Sequence, residues 1–231
     1  MTVETESRRE VQLALQRSNV YGLLSMIYIK EPTAELIEKL REPAVCSMLE
    51  SLGVVFDPMF EEQPAVEVVE ALVLEFTRLY LGPGRHIPPY EAPHIGSFRS
   101  DGEVRYGMMW GSSTKEVESD YRRHGFELIP GFRGAPDHIA AELHFLRMLT
   151  QEEAAAWERG EREWARNLLE EQQVFLEKHL GKWAPSFCQE AVAASRLEFY
   201  RTLALLTGEF IRSEMEALPD LVRQAGEPSS A

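Results

Sequence analysis

Asp137, His138, Glu142 and His144 crowd proton- and metal-handling side chains into one short stretch of the chain. On a helix, His138 and Glu142 are four residues apart and project from the same face, where they could hold a metal ion or share a proton. The di-iron carboxylate pattern needs a Glu followed three residues later by a His, and needs it on two helices. Three residues after Glu142 stands Phe145, no second copy of the pattern exists, and His144 falls on a different face. A helical metalloprotein using His138 and Glu142 therefore stays as an alternative reading. A structural reading also exists: Pro136 suits the first position of a helix, and Asp137 in the first turn is favoured by the helix dipole. That reading covers Asp137 and leaves His138, Glu142 and the preceding Gly131, Arg133 and Gly134 loop without an account.

Other chemistry is sparse. There is no Gly-x-Ser-x-Gly, and neither Cys46 nor Cys188 has a histidine nearby in sequence. Both cysteines sit in apolar helical patterns and read as reduced core residues. Gly82-Pro83-Gly84-Arg85 lacks the Gly-Lys-Ser/Thr of a phosphate-cradling loop, so nucleotide binding finds no support, and no cofactor is expected. Thirty-eight acidic against 24 basic side chains leave a net charge of −14. Such a surface repels phosphate backbones and anionic membranes and attracts a cationic segment of another protein. Nucleic acid is thus a poor partner, and a polypeptide a good one.

These residues need elements to position them, and the apolar period is 3.6 residues nearly everywhere. A first helix is expected over about 6–30, with Leu13, Val20, Leu24 and Ile27 on one face, stopped by Glu31-Pro32. Ser7-Arg8-Arg9 resembles an export signal, but the acid at Glu10 and the polar Gln12, Gln16, Arg17 and Asn19 break the apolar run that such a signal requires. No apolar run approaches the roughly 20 residues that cross a bilayer. Short helices follow at 33–41 and 43–52, the second stopped by Gly53. A stronger one begins near Pro64, with Val66, Val69, Val73, Phe76 and Tyr80 as its stripe. Gly82-Pro83-Gly84 opens a long irregular loop to about residue 112, a length that usually signals function. A helix from Ser113, where Ser113 and Glu116 have capping-box spacing, ends at Gly125. Pro136 opens the next, with Ile139, Leu143, Leu146 and Leu149. Thr150 and Glu153 look like a second capping box that starts a new short helix. Another helix over 161–180 carries Trp164, Leu168 and Phe175 on one side and stops at Gly181. Pro185 starts the last long one, and the chain from Pro219 reads as tail. No strand pair is evident. The expectation is an all-α, single-domain bundle of about eight to ten helices over 1–218, with 1–62 more loosely packed and 219–231 a flexible tail.

Pro136-Asp137-His138-Ile139-x-x-Glu142-Leu143-x-Phe145-Leu146 resembles the signature segment of the TorD/DmsD/NarJ-type redox-enzyme maturation chaperones. Leu74-Glu75-Phe76-x-x-Leu79-Tyr80 with Pro88-Pro89-Tyr90-Glu91, then Tyr121-x-x-His124-Gly125, then His179-Leu180-x-x-Trp183-x-Pro185-x-Phe187, are similar to further family segments and follow in the family's order over roughly residues 10 to 215. One departure stands beside them: some members place a proline two residues before the Asp-His pair, where this chain has Ala135 and then Pro136. The resemblance implies an all-helical, non-catalytic, cytoplasmic chaperone. It would bind the N-terminal twin-arginine signal region of the apo form of a molybdenum-cofactor oxidoreductase subunit and assist cofactor insertion before export. A structural assembly subunit is the remaining alternative.

A twin-arginine leader offers two guanidinium groups and then an apolar helix, so its receptor needs carboxylates and an adaptable apolar surface. Glu91, Asp137 and Glu142 are expected to supply the charge, with His138 hydrogen-bonding. Tyr80, Tyr90 and Tyr121 would offer flat surface, and Pro89 and Pro136 would shape the turns around them. Met108, Met109 and Trp110 in the long loop would repack around variable ligands, or else fill the bundle. Trp183 and Phe187 are assigned to packing. Everything rests on the acids meeting in one accessible cleft.

Overall fold

A computed structural model describes residues 3–51, 54, 60, 62–82, 86–129 and 131–227. Gly53, the Pro83-Gly84-Arg85 break and the last four residues, which carry part of the sequence-based expectations, lie outside the described residues. The architecture is an all-α bundle, as the 3.6-residue period implies. Its helices are α1 (Val3–Tyr28), α2 (Ala34–Leu40), α3 (Pro43–Ser51), α4 (Ala65–Phe76), α5 (Glu91–Ile95), α6 (Ser112–Arg123), α7 (Ile139–Glu158), α8 (Arg162–Lys178), α9 (Leu180–Ala194) and α10 (Glu198–Gly226). A π-helical turn over Thr77–Leu81 extends α4 and closes with Gly82 N–H donating to Thr77 O. α1 lies along α7, α9 along α10, and α8 packs on both α7 and α10.

The loop expected over 82–112 has internal structure. It holds α5 and a two-stranded antiparallel hairpin, β1 (Phe98–Ser100) and β2 (Glu103–Arg105), with Phe98 opposite Arg105 and Ser100 opposite Glu103. Asp101 and Gly102 make the turn with φ of 54° and 77°. Asp-Gly is the pair that tolerates a left-handed turn of this kind.

Several helix boundaries and faces depart from expectation for local reasons. α7 runs straight through Thr150, because the Thr150 hydroxyl donates back to Leu146 O at 2.6 Å and does not cap a new helix. α6 begins at Ser112 with Gly111 as its cap, and Thr114, not Ser113, supplies the side-chain acceptor. The break after α8 comes at His179; Pro185 lies inside α9, and a second break at Ser195 precedes α10. Pro219 sits within α10, which continues to Gly226. Leu218 and Ala225 are buried and Arg162 donates to the carbonyls of Ala225 and Gln224, so 219–226 is not tail. Gly125 (φ 65°) does stop α6. On α1 the buried face runs through Ala14, Arg17, Tyr21 and Leu24, leaving Leu13 exposed. On α4 Val68, Leu72 and Phe76 are buried while Val66 faces outward, and Trp164 on α8 is likewise exposed.

Arg17 is buried because the bundle builds a counter-charge around it. Its guanidinium donates to Glu214 on α10 (2.8–3.0 Å), Glu153 on α7 (2.9 Å) and Gln172 on α8 (2.6 Å). Tyr21 OH donates to Glu214 Oε2 at 2.8 Å. One cation thus joins four helices. Burial works against its charge, but Glu214 and Glu153 more than compensate, so it is held charged. No helix among the described residues is long and apolar enough to cross a membrane.

Candidate functional site

The chain just before α5 and the turn entering α7 meet as two antiparallel segments, Tyr90 opposite His138. Glu91 N–H donates to Asp137 O and Ile139 N–H to Pro89 O, each at 2.9 Å. This pairing brings Pro89, Tyr90, Glu91, Asp137 and His138 together across the 45 residues, 92–136, that separate Glu91 from Asp137. His138 is the N-cap of α7, with φ −75° and ψ 139°, so it does not share a helical face with Glu142. Its Nδ1 accepts from Ala140 N–H at 3.1 Å, which leaves the ring proton on Nε2. Burial pushes the imidazole down to about 3, so it stays neutral at ordinary pH. The ring lies between Tyr90 (4.8 Å between centroids) and Phe132 (5.2 Å). With Nδ1 engaged in capping, the metal reading of His138 and Glu142 loses its geometry.

Asp137 does not cap its own helix. Its Oδ2 accepts from the backbone N–H of Ala92, in the first turn of α5, at 2.9 Å, and from the Thr114 hydroxyl at 3.0 Å. Glu91 meets His179, whose Nδ1 lies 3.0 Å from Glu91 Oε2 and whose Nε2 lies 3.2 Å from Asp120 Oδ2. Glu142 Oε2 accepts from the Trp183 indole N–H at 3.2 Å. Asp137 Oδ1 and Glu142 Oε1 are buried without a partner. Burial, and then the neighbouring Glu91 and Asp137, push the Glu142 carboxyl well above the ordinary carboxylate range, against which the Trp183 bond works. Burial also raises Asp137, although the Ala92 and Thr114 bonds oppose that shift.

The three acids do converge, but not on an accessible cleft. Glu91 is 1% exposed, and Asp137 and Glu142 are 0% exposed. Their oxygens face Ala92, Thr114, His179 and Trp183, so a guanidinium arriving from solvent meets none of them in this conformation. Direct surface capture by these carboxylates is therefore replaced by a structural arrangement. Tyr121 is core: its OH donates to Pro136 O at 2.9 Å and its ring packs on Phe126, Phe145 and Phe175. Tyr80 is core as well, among Tyr28, Phe76, Phe187 and Tyr200. Pro89 is buried, and only Tyr90 and Pro136 of the nine expected residues are half-exposed.

Thr114, Asp120 and His179 carry this cluster and were not singled out as site residues from sequence. His179 stood in a family-like segment, whereas nothing marks Thr114 or Asp120 except position. Trp183 packs as expected and also serves Glu142. Met108 (82%), Trp110 (69%) and Phe98 (61%) are instead strongly exposed, beside Ile95 and Met109, and do not fill the bundle. Scattered exposed apolar residues are ordinary; here five large ones fall within residues 95–110.

Comparison with known proteins follows the same line. The family model described as nitrate reductase delta subunit matches residues 29–189. Chaperone protein TorD of Vibrio atlanticus (strain LGP32) is 24% identical over 216 residues, covering 88% of this chain and 94% of its own. Chaperone protein TorD of Vibrio vulnificus (strain YJ016) is 23% identical over 217 residues, with the same coverage. The crystal structure of an Archaeoglobus fulgidus protein assigned to redox enzyme maturation superposes with a TM-score of 0.51 at 20% identity, covering 85% of this chain and 93% of that one. That likeness concerns the fold.

Proposed function

The chain belongs to the nitrate reductase delta subunit family of TorD/NarJ-type maturation chaperones, which is not a family of enzymes, and from that premise we propose that it serves in the cytoplasm. Its client would be a molybdenum-cofactor oxidoreductase subunit in the apo form, engaged at the N-terminal twin-arginine signal region. It would hold that subunit through cofactor insertion and assembly, before export. The observation that supports this reading is the outward-facing Phe98, Met108, Met109 and Trp110 on a segment fastened to the signature turn at Asp137. An apolar signal helix needs a surface of that kind, and unbranched methionines adapt to differing sequences.

In this reading the client lies along the 95–110 segment, with Tyr90 and Pro136 at the rim. Its arginines are drawn by the net charge of −14. The buried Glu91, Asp137, His138 and Glu142 act by holding the surface in place. Calorimetry with a twin-arginine signal peptide tests it. Binding should weaken as salt rises, and should weaken about tenfold or more in Met108→Ser/Trp110→Ser, as expected when central contacts are lost. Unchanged affinity in that variant would remove the surface from the account. Presence of the chain in the finished, exported enzyme would instead favour a structural subunit.

A further inference from the structure

Residues 92–111 form an arm that starts buried on α9, at Ala92, Pro93 and His94, and is largely exposed from Ile95 onward. It comprises α5 after its first residue, a neck where Gly96 meets Gly107, the β1–β2 hairpin, and the stretch Met108–Trp110. The neck is narrow: a Cβ on Gly107 would lie 2.9 Å from Gly96 Cα, so neither glycine accepts a side chain without the two strands parting. Gly107 N–H donates to Pro93 O across it at 2.8 Å.

Both ends of the arm converge on one carboxylate oxygen. Asp137 Oδ2 accepts from Ala92 N–H at 2.9 Å and from Thr114 Oγ1 at 3.0 Å. The same Thr114 hydroxyl accepts from Gly111 N–H at 3.3 Å. The two ends also lie close together, leaving little room for a side chain at Gly111, where a Cβ would fall 3.3 Å from Ala92 Cβ. Asp137 is fully buried and its Oδ1 has no partner, so the side chain directs its hydrogen bonding to this junction alone. Elsewhere the arm is held by His94, whose ring packs on Trp183 and Phe187 of α9 and whose Nε2 lies 2.9 Å from Pro88 O, and by Tyr106 OH donating to Glu190. Those contacts grip its body; Asp137 grips its base.

We propose that Asp137, acting directly on Ala92 and through Thr114 on Gly111, is a positioning residue that clasps the base of the 92–111 arm and sets how its exposed apolar side chains stand on the bundle. That a client then reads this presentation rests on the function proposed above. The clasp itself is decided without any client.

Hydrogen exchange on the full-length chain, with no peptide present, tests it. In Asp137→Ala, amides of the arm, Ala92 and Gly111 above all, should exchange about tenfold faster or more, the scale of one lost charged hydrogen bond. Amides in the middle of α7 and α8 should stay within about twofold. Asp137→Asn keeps an acceptor oxygen and should restore most of the protection, whereas a need for the charge alone would leave it like Ala. Thr114→Val is nearly isosteric and breaks only one branch, so Gly111 should be released more than Ala92. Faster exchange throughout the bundle, no change in the arm, or an Asn variant as open as Ala would each overturn the clasp.

Discussion

Glu142→Gln should stabilise this protein, and increasingly so as pH rises. Glu142 is fully buried, takes one hydrogen bond from Trp183 and faces the charges of Glu91 and Asp137. Its folded pKa is therefore raised above the unfolded value of 4.5. A group of this kind contributes stability that is fully present below the unfolded value and is lost as pH climbs toward the folded one. Above pH ~4.5 the unfolded chain releases this proton while the native protein keeps it. Native stability then falls by about 1.4 kcal/mol per pH unit for the one proton retained. Glutamine has the same shape, still offers an oxygen to Trp183, and carries no such cost. Every other acid titrates in both proteins, so the difference between them isolates this site. From about pH 5 upward the gap should widen by about 1.4 kcal/mol per pH unit, or roughly 3–6 °C in Tm per unit for a domain of this size, until the native acid itself ionises. Urea denaturation followed by circular dichroism over that pH range measures it. Parallel curves, with the gap changing by less than about 0.5 kcal/mol, would show that Glu142 ionises in the fold as it does in the unfolded chain and would refute the upward shift.

Arg17→Met should cost about 3–5 kcal/mol, because Glu153 and Glu214 remain buried without their cation, lowering Tm by roughly 6–20 °C. Glu153 already sits above its ordinary value through burial, and losing Arg17 would raise it further, so the deficit should shrink on going from pH 8 to pH 5; calorimetric melting at both pH values checks it. His138→Ala should lose about 1 kcal/mol from the α7 cap, while His138→Asn, which keeps a cap acceptor, should lose less in the same melts. The deficit of either variant should shrink as pH falls below about 6.5, because the unfolded wild-type chain protonates this imidazole while burial keeps it neutral in the native protein down to about 3.

Periodicity revealed most helices, because burying one stripe of a helix demands apolar residues every three or four positions. It placed α8 well but ran α9 and α10 together across the break at Ser195, and on α1 and α4 it included Leu13 and Val66, which face outward, while Val20, Leu24, Ile27, Phe76 and Tyr80 are buried as expected. On α1 the buried face includes Arg17, and no hydropathy pattern foresees an arginine whose partners come from α7, α8 and α10. Thr150 and Glu153 had capping-box spacing, yet Glu153 is committed to Arg17 and Thr150 to Leu146 O. The three-residue strands of the hairpin were too short for a period. Their signal was Asp101-Gly102, which sequence reading passed over. Family-like segments correctly brought Glu91, Asp137 and Glu142 near one another. Their burial was not legible, because it depends on Ala92 N–H, Thr114, His179 and Trp183 arriving from distant elements to occupy those oxygens.

A hydrogen-exchange footprint of the full-length chain, taken with and without a saturating twin-arginine signal peptide, bears most directly on how this chaperone meets its client. Protection should concentrate in residues 95–111 and at the rim around Tyr90 and Pro136. Protection confined to the outer face of α4, around the exposed Val66 and Leu74, with the arm unchanged, would contradict it.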